Sequence, residues 1–414
     1  MRDLRQLVDR STARYNARFP QAQLDDLMFA GDPLADAAVA ALHERAYQRS
    51  EGKLEAVRAL AKDGEPAARA FLDQTMERPA WLDDRLLAQG QRLTLGFVSL
   101  SKLSLTHSLF AGGMFARATL VTHATGRLGA DPSTRIRETG AFIGAIMQPG
   151  GLAPGALGHE TTLRVRLLHS SIRAWLKRTP GFSEDYVGEP IDQTMLAMTL
   201  GLFSYLNLRS FARLGVGFVD DDLAAHHHLW RYVGHLLGVD ARLLTSSPRQ
   251  EKDLWSALVA HQAFPDSWGG SYLDESARTA ARLAGNVREF RPFFRSLFLY
   301  LSGPGWFGVE DEAHLDYRLA ALRVGNGALS IGRRWIPGAS RRMAERGLEA
   351  FGRAVSLARA HDYGLRIETT EENASSEATM RAVAANVRDR FAGVMTARRA
   401  GSLPHFGAGA DRPA

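Results

Sequence analysis

Apolar residues recur at intervals of three and four along nearly the whole chain, and alternating apolar/polar runs are few. That is the pattern of amphipathic helices. Proline and glycine punctuate it. Asp32-Pro33 opens a helix through DPLADAAVAALHERAYQ and Asp131-Pro132 another through PSTRIRETGAFIGAIM, with proline in the first turn, where a missing N–H costs nothing. The segment QPGGLAPGALG (148–158) is a loop, and the helix after it reads TLRVRLLHSSIRAWLKR (162–178) before stopping at Thr179-Pro180-Gly181. Further helices are expected over 191–214, 220–237, 248–264 and 272–290, and around 340–361 and 374–399. Two pieces, ALSIGRRWI (328–336) and GLRIE (364–368), read as short strands. With no repeat and no Pro/Ser-rich linker, the expectation is an all-α chain: one large helical domain over 1–400 and a disordered, Gly/Pro-rich tail at 401–414.

Two consecutive helices break the pattern in the same way. At 100° per residue, Val165, Leu168, His169, Ile172 and Leu176 share one stripe, with Arg166 and Arg173 on one flank and Lys177 following them. On the preceding helix, Arg135, Glu138, Thr139, Phe142 and Ile146 form the matching stripe, so a charged pair and a hydroxyl stand where a core would take leucine. Burying Arg and Glu costs several kcal/mol unless they are paired or face a ligand. Two readings follow. In one, His169 is a buried histidine satisfied by a carbonyl, and Arg135 and Glu138 are an i, i+3 pair. In the other, the two faces bound an apolar slot holding one imidazole and several cations, which suits haem.

Composition narrows the chemistry. The chain carries 51 Lys+Arg against 45 Asp+Glu, a net charge of +6. The basic residues are dispersed among acids, which argues against nucleic-acid binding. There is no cysteine, which excludes disulfides, thiolate zinc sites, iron–sulfur clusters and thiolate-ligated haem. The start has no secretory signal and no stretch reads as a membrane span, so a cytoplasmic protein without stable membrane insertion is expected.

The order of the pieces resembles a known family. Arg135-x-x-Glu138-Thr139, then His169 within R-x-R-L-L-H-x-x-x-R, together with GDPLAD (31–36), TGRL (125–128), GEPIDQTMLAMTLGLFSY (188–205) and HLWRYVGHLLGVD (228–240), is similar to the catalytic domain of latex clearing proteins (rubber oxygenases) and MpaB-type oxygenases. The likeness is clearest over residues 30–240. It implies a helical fold around a globin-like core holding haem b, with His169 as the proximal iron ligand and Arg135 and Thr139 on the distal side where O2 binds. Arg166 and Arg173 are then propionate partners by wheel geometry, with Phe142 and Ile172 as walls of the slot. The substrate implied is an apolar small molecule; polyisoprene is not expected without a secretion signal. The resemblance also implies a lysine at position 138, where this chain has Glu138. It implies a catalytic glutamate about sixteen residues before Arg135, near Thr119, yet 107–129 contains no acid; Glu138 and His123 are the alternative bases. A non-catalytic haem sensor or carrier is the rival function, and a helical scaffold with a buried His169 the plainest one.

Other constellations are weaker. Asp222 and His226 are i, i+4 beside Asp220, Asp221, His227 and His228, but three consecutive histidines fan around a helix, and the aspartates suit its N-terminus. Asp311-Glu312-Ala313-His314 is a single Glu-x-His, where a di-iron bundle needs two Glu-x-x-His motifs. Gly215-x-Gly217 follows no strand, and no nucleophile elbow or phosphate loop is present.

Overall fold

The computed structural model describes residues 10–45, 52–125, 132–180, 182, 186–264, 269–310, 316–360 and 377–403. Every regular element among them is helical, as the periodicity requires. In chain order they are α1 (Gln21–Leu27), α2 (Pro33–Glu44), α3 (Lys53–Lys62), α4 (Pro66–Met76), α5 (Asp84–Gly96), α6 (Val98–Gly112), α7 (Ala116–Ala124), α8 (Pro132–Ile146), α9 (Leu157–Leu176) and α10 (Gln193–Phe203). There follow α11 (Tyr205–Arg213), α12 (Asp220–Leu236), α13 (Pro248–His261), α14 (Gly269–Leu283), α15 (Val287–Ser302), α16 (Pro304–Phe307), α17 (Tyr317–Trp335), α18 (Ala339–Ala360) and α19 (Glu377–Arg399).

Capping explains where several begin. Asp32 accepts from Ala35 N ahead of Pro33, and Ser247 accepts from Gln250 N ahead of Pro248; each cap satisfies a donor the first turn cannot pair. The expected 191–214 helix is broken at Ser204 (φ −93°, ψ −81°), which separates α10 from α11. The expected 272–290 helix is divided by Gly285 (φ 90°) and Asn286, whose side chain caps α15 by accepting from Glu289 N. The strand expected at 328–336 is instead the end of α17 and its cap, so that expectation is corrected. GLRIE (364–368), Asp311–His314 and positions 126–128 of TGRL lie outside the described residues.

One hydrophobic cluster runs from Phe19 to Leu403 and takes in most of the helices. A second, smaller one is formed by α2, α3 and α4 against Leu163 and Leu167 of α9. Helix α9 therefore lies between two cores: its Leu168–Ile172–Leu176 edge packs on the large one and its Leu163–Leu167 edge on the small one. In the 401–414 segment Gly401 and Ser402 are exposed and Leu403 packs on the core, while 404–414 lie outside the described residues. No helix among the described residues is long and apolar enough to cross a membrane.

Candidate functional site

Helices α8 and α9 form a hairpin whose turn is fixed by absent side chains. A Cβ at Gly158 would lie 2.7 Å from the carbonyl oxygens of Ala145 and Gly151 and 2.8 Å from Ile146 Cα, so only glycine permits this approach. The loop is pinned by His159, whose Nε2 donates to Thr75 O (3.0 Å) while Gly155 N donates to its Nδ1 (3.3 Å). Burial holds that imidazole below its ordinary pKa, in the neutral form this bonding needs.

From the Gly158–Ala145 contact the two helices run antiparallel. Ala145, Ala141, Glu138 and Thr134 succeed one another along α8 at alternating four- and three-residue steps, as do Gly158, Thr162, Val165 and His169 along α9. At 1.5 Å per residue, His169 on α9 and position 134 on α8 each lie about 16 Å from that contact along their own helices. The seam begins as glycine on alanine, with Ala141 and Ala145 fully buried, and ends at a histidine and a glutamate. The two helices that carry the polar faces read from the wheels are therefore neighbours in one hairpin.

Burial supports the same picture. Leu168, Ile172 and Leu176 are buried, as are Phe142 and Ile146, whereas His169, Val165, Glu138 and Thr139 are half-buried. A Cβ added at Gly140, next to Thr139, would meet nothing within 4 Å, so α8 has room on that side. Only the helical backbone of Arg135 is described; its side chain lies outside the described set. Helix α18 packs across α5, α8 and α9, with Ala344 and Phe351 buried beneath it.

The flank of α9 that carries Arg166 and Arg173 is turned onto α2. Arg166 donates Nε to Asp32 Oδ2 (2.6 Å), Nη2 to Asp32 Oδ1 (3.0 Å) and Nη1 to Gln74 Oε1 (2.5 Å). Arg173 donates Nη2 to Asp36 Oδ1 (2.8 Å) and Nη1 to Ile191 O (2.7 Å). Both guanidiniums are buried and already neutralised by the chain's own acids. This corrects the expectation that they meet the carboxylates of a bound cofactor: they tie α9 down. The wheel gave their direction correctly but could not name an acid more than 130 residues away.

The remaining motifs converge behind the same flank. Gln193 donates Nε2 to Gly31 O (2.8 Å) and Gly238 O (3.0 Å) and accepts from Asp240 N (2.7 Å), joining GDPLAD, GEPIDQ and GVD. Asp192 caps α10 and pairs with Arg117, both without exposed side chain. Between the Arg173 contact and this cap, Ile191 is held at φ 53°, a conformation a β-branched residue adopts only when its surroundings impose it.

Elsewhere the acid stays missing. Thr119 is buried on α7 and donates its hydroxyl to Gly113 O (2.8 Å); His123 is half-buried on the same helix. His226, His227 and His228 fan out as expected, their Nε2 atoms bonding Ser204 O, Thr245 Oγ1 and Asp83 N respectively. Among the described residues no three histidine or carboxylate groups converge as a metal site. Sequence reasoning passed over Glu251, which lines a small cavity (about 20 Å³) with His227, Arg231, Thr245 and Trp255. Burial pushes its carboxyl up to about 7, although nothing in its sequence neighbourhood marked it.

Comparison with known proteins identifies the fold and the family. The chain is 25% identical over 255 residues to the rubber oxygenase of Streptomyces sp. (strain K30), covering 57% of this chain and 61% of that protein, so it spans under two thirds of that relative's length. The structure of latex clearing protein LCP in the closed state superposes with a TM-score of 0.55 at 20% identity, covering 79% of this chain and 91% of the other, which establishes a shared fold. A model of the catalytic domain of the ER-bound oxygenase mpaB/B′ and rubber oxygenase matches residues 87–388, a span that includes both helices of the seam. The chain belongs to that oxygenase family.

Proposed function

We propose that the chain is a haem b-dependent oxygenase that acts with O2 on an apolar small molecule. The observation that carries this is the α8–α9 hairpin, in which a helix bearing His169 follows and packs on one bearing Arg135 and Glu138, in a family of oxygenases. The donor set suits haem: one half-buried imidazole on α9 among the buried Leu168 and Ile172, with Phe142 and Ile146 buried on the neighbouring α8. His169 would hold the iron, and a bound haem supplies the redox centre at which O2 is activated.

The chain's own residues then divide the work. Phe142, Ile146, Leu168 and Ile172 exclude water from the slot, which strengthens every polar interaction inside it. Arg135 and Thr139 supply donors for negative charge developing on the α8 side, and the Glu138 carboxylate takes or returns a proton there. Arg166 and Arg173, through Asp32 and Asp36, fix the rotation of α9 and with it the aim of His169.

A visible spectrum of the purified or haem-reconstituted protein tests the cofactor; absence of a Soret band at any loading ends the reading. Substrate-dependent O2 consumption that falls in Arg135→Ala and Thr139→Ala, with the Soret band retained, distinguishes the enzyme from a haem carrier. The carrier is favoured by the lack of an acid at Thr119 and predicts no turnover in any variant.

A further inference from the structure

Helix α17 presents its apolar stripe outward. Leu319, Asn326 and Ser330 face the protein, and on the opposite side lie Tyr317 (75% exposed), Val324 (75%), Ile331 (64%) and Trp335 (73%). These four follow one another at steps of seven, seven and four, so they form a single line along the helix, about 27 Å long. A surface helix ordinarily turns such a line inward; here the inner face combines Leu319 and Leu322, packed on the core, with polar contacts. Asn326 donates to Leu214 O (2.8 Å), and Gly217 N donates to Ser330 Oγ (2.9 Å).

The surroundings of the stripe are basic. Between Tyr317 and Ala350 the sequence has seven arginines and two acids. One of the seven, Arg333, is consumed by Asp222, while Arg323, Arg334, Arg341, Arg342 and Arg346 are exposed. The Arg334 guanidinium lies 5.7 Å from the Trp335 ring. Acids stand before the other end, at Glu310 and Asp316, so the cationic end is the one with Ile331, Trp335 and Ile336.

We infer that the outward face of α17 docks on the surface of an anionic lipid membrane, Trp335 end first. An aromatic and aliphatic stripe edged by arginine matches the headgroup–acyl boundary, with the apolar side chains entering and the guanidiniums meeting lipid phosphates. A second copy packed in parallel across this stripe is disfavoured by the same charges, because both arginine-rich ends would meet, and an antiparallel pair is the rival that sedimentation velocity tests. The helix lies on the membrane and does not cross it, and this inference does not depend on the proposed chemistry.

Co-sedimentation of the full chain with vesicles tests it. We expect binding to vesicles of equimolar phosphatidylcholine and phosphatidylglycerol, little to phosphatidylcholine alone, and release at high salt. Ile331→Glu and Trp335→Ala, both at exposed positions that leave the circular dichroism spectrum unchanged, should each weaken partitioning about tenfold. Arg334→Glu with Arg342→Glu should weaken it for anionic vesicles only. The inference is overturned by absence of vesicle binding, by equal binding to neutral vesicles, or by binding that survives Ile331→Glu. A dimer in sedimentation velocity that Ile331→Glu dissociates, without vesicle binding, assigns the face to a second copy instead.

Discussion

Arg166 on α9 grips Asp32 at the start of α2 through two bonds, at 2.6 and 3.0 Å, and neither side chain exceeds 4% exposure. The same carboxylate accepts from Ala35 N and so also caps α2. Removing one partner of a buried pair leaves an uncompensated charge, at about 3–5 kcal/mol, and losing the cap adds about 1 kcal/mol. Asp32→Ala should therefore lower unfolding free energy by roughly 4–6 kcal/mol in denaturant titration. Asp32→Asn, which keeps a capping oxygen, should lose less. Adding Arg166→Met to Asp32→Ala should recover part of the loss. Additive losses would show that the pair is not the unit described.

His169 is half-buried in a buried stripe, so its replacement separates packing from ligation. His169→Ala should shift stability by about 1–2 kcal/mol, typical of a partly exposed side chain, and abolish the Soret band of the reconstituted protein. Added imidazole should restore the band. A variant that keeps wild-type haem affinity sinks the assignment of His169 as iron ligand.

Gly158 permits the close crossing of α8 and α9, with Ala145 O, Gly151 O and Ile146 Cα all within 2.8 Å of a Cβ built there. Gly158→Ala should cost about 1–3 kcal/mol through forced backbone shift, and Gly158→Leu more. Gly140→Ala, where the Cβ meets nothing within 4 Å, is the control and should be neutral or slightly stabilising through helix propensity. Thermal melts of the three variants compare them directly.

Stability should respond to pH in two opposite ways. Glu251 is buried and its carboxyl rises to about 7 when folded. The folded state thus keeps a proton that the unfolded chain has already lost. That stabilisation is complete below the ordinary carboxylate range and disappears as pH rises to about 7, a change of roughly 3 kcal/mol. Glu251→Gln should flatten this fall and be the more stable protein at pH 8. Burial pushes His107 and His227 down to about 3 and His226 to about 4. These folded values lie below the unfolded one, so their stabilisation is present above about pH 6.5 and lost as pH falls. Melting temperatures across pH 4–8 check both slopes, and an unchanged profile in Glu251→Gln removes the first.

How far the sequence could be read depended on whether a signal was local. Asp32-Pro33, the 148–158 loop and the paired stripes of α8 and α9 were visible because caps, glycines and a 3.6-residue period lie within a few residues of one another. The end of α17 was misread as a strand because its apolar residues face outward, and inverted amphipathicity in LSIGRRWI mimics alternation. The division at Gly285-Asn286 was signalled by Gly-Asn but outweighed by the continuing period. The break at Ser204 has neither proline nor glycine to announce it. Least legible were the partners of Arg166 and Arg173, because a helical wheel gives the direction of a side chain but not the distant acid that comes to meet it.

Those distant acids also determine how much chain makes a working unit. The family match begins at residue 87, yet Asp32, Asp36 and Gln74 precede it and hold the two arginines of α9. A fragment cut to the matched span would keep His169 but lose α2, α3 and α4, uncovering the Leu163–Leu167 edge of α9 and leaving two guanidiniums without their acids. On the ribosome the order is reversed: the acids emerge more than 130 residues before the arginines they await. The boundary drawn by likeness and the boundary drawn by charge differ by the entire amino-terminal region, and an expression fragment should follow the second.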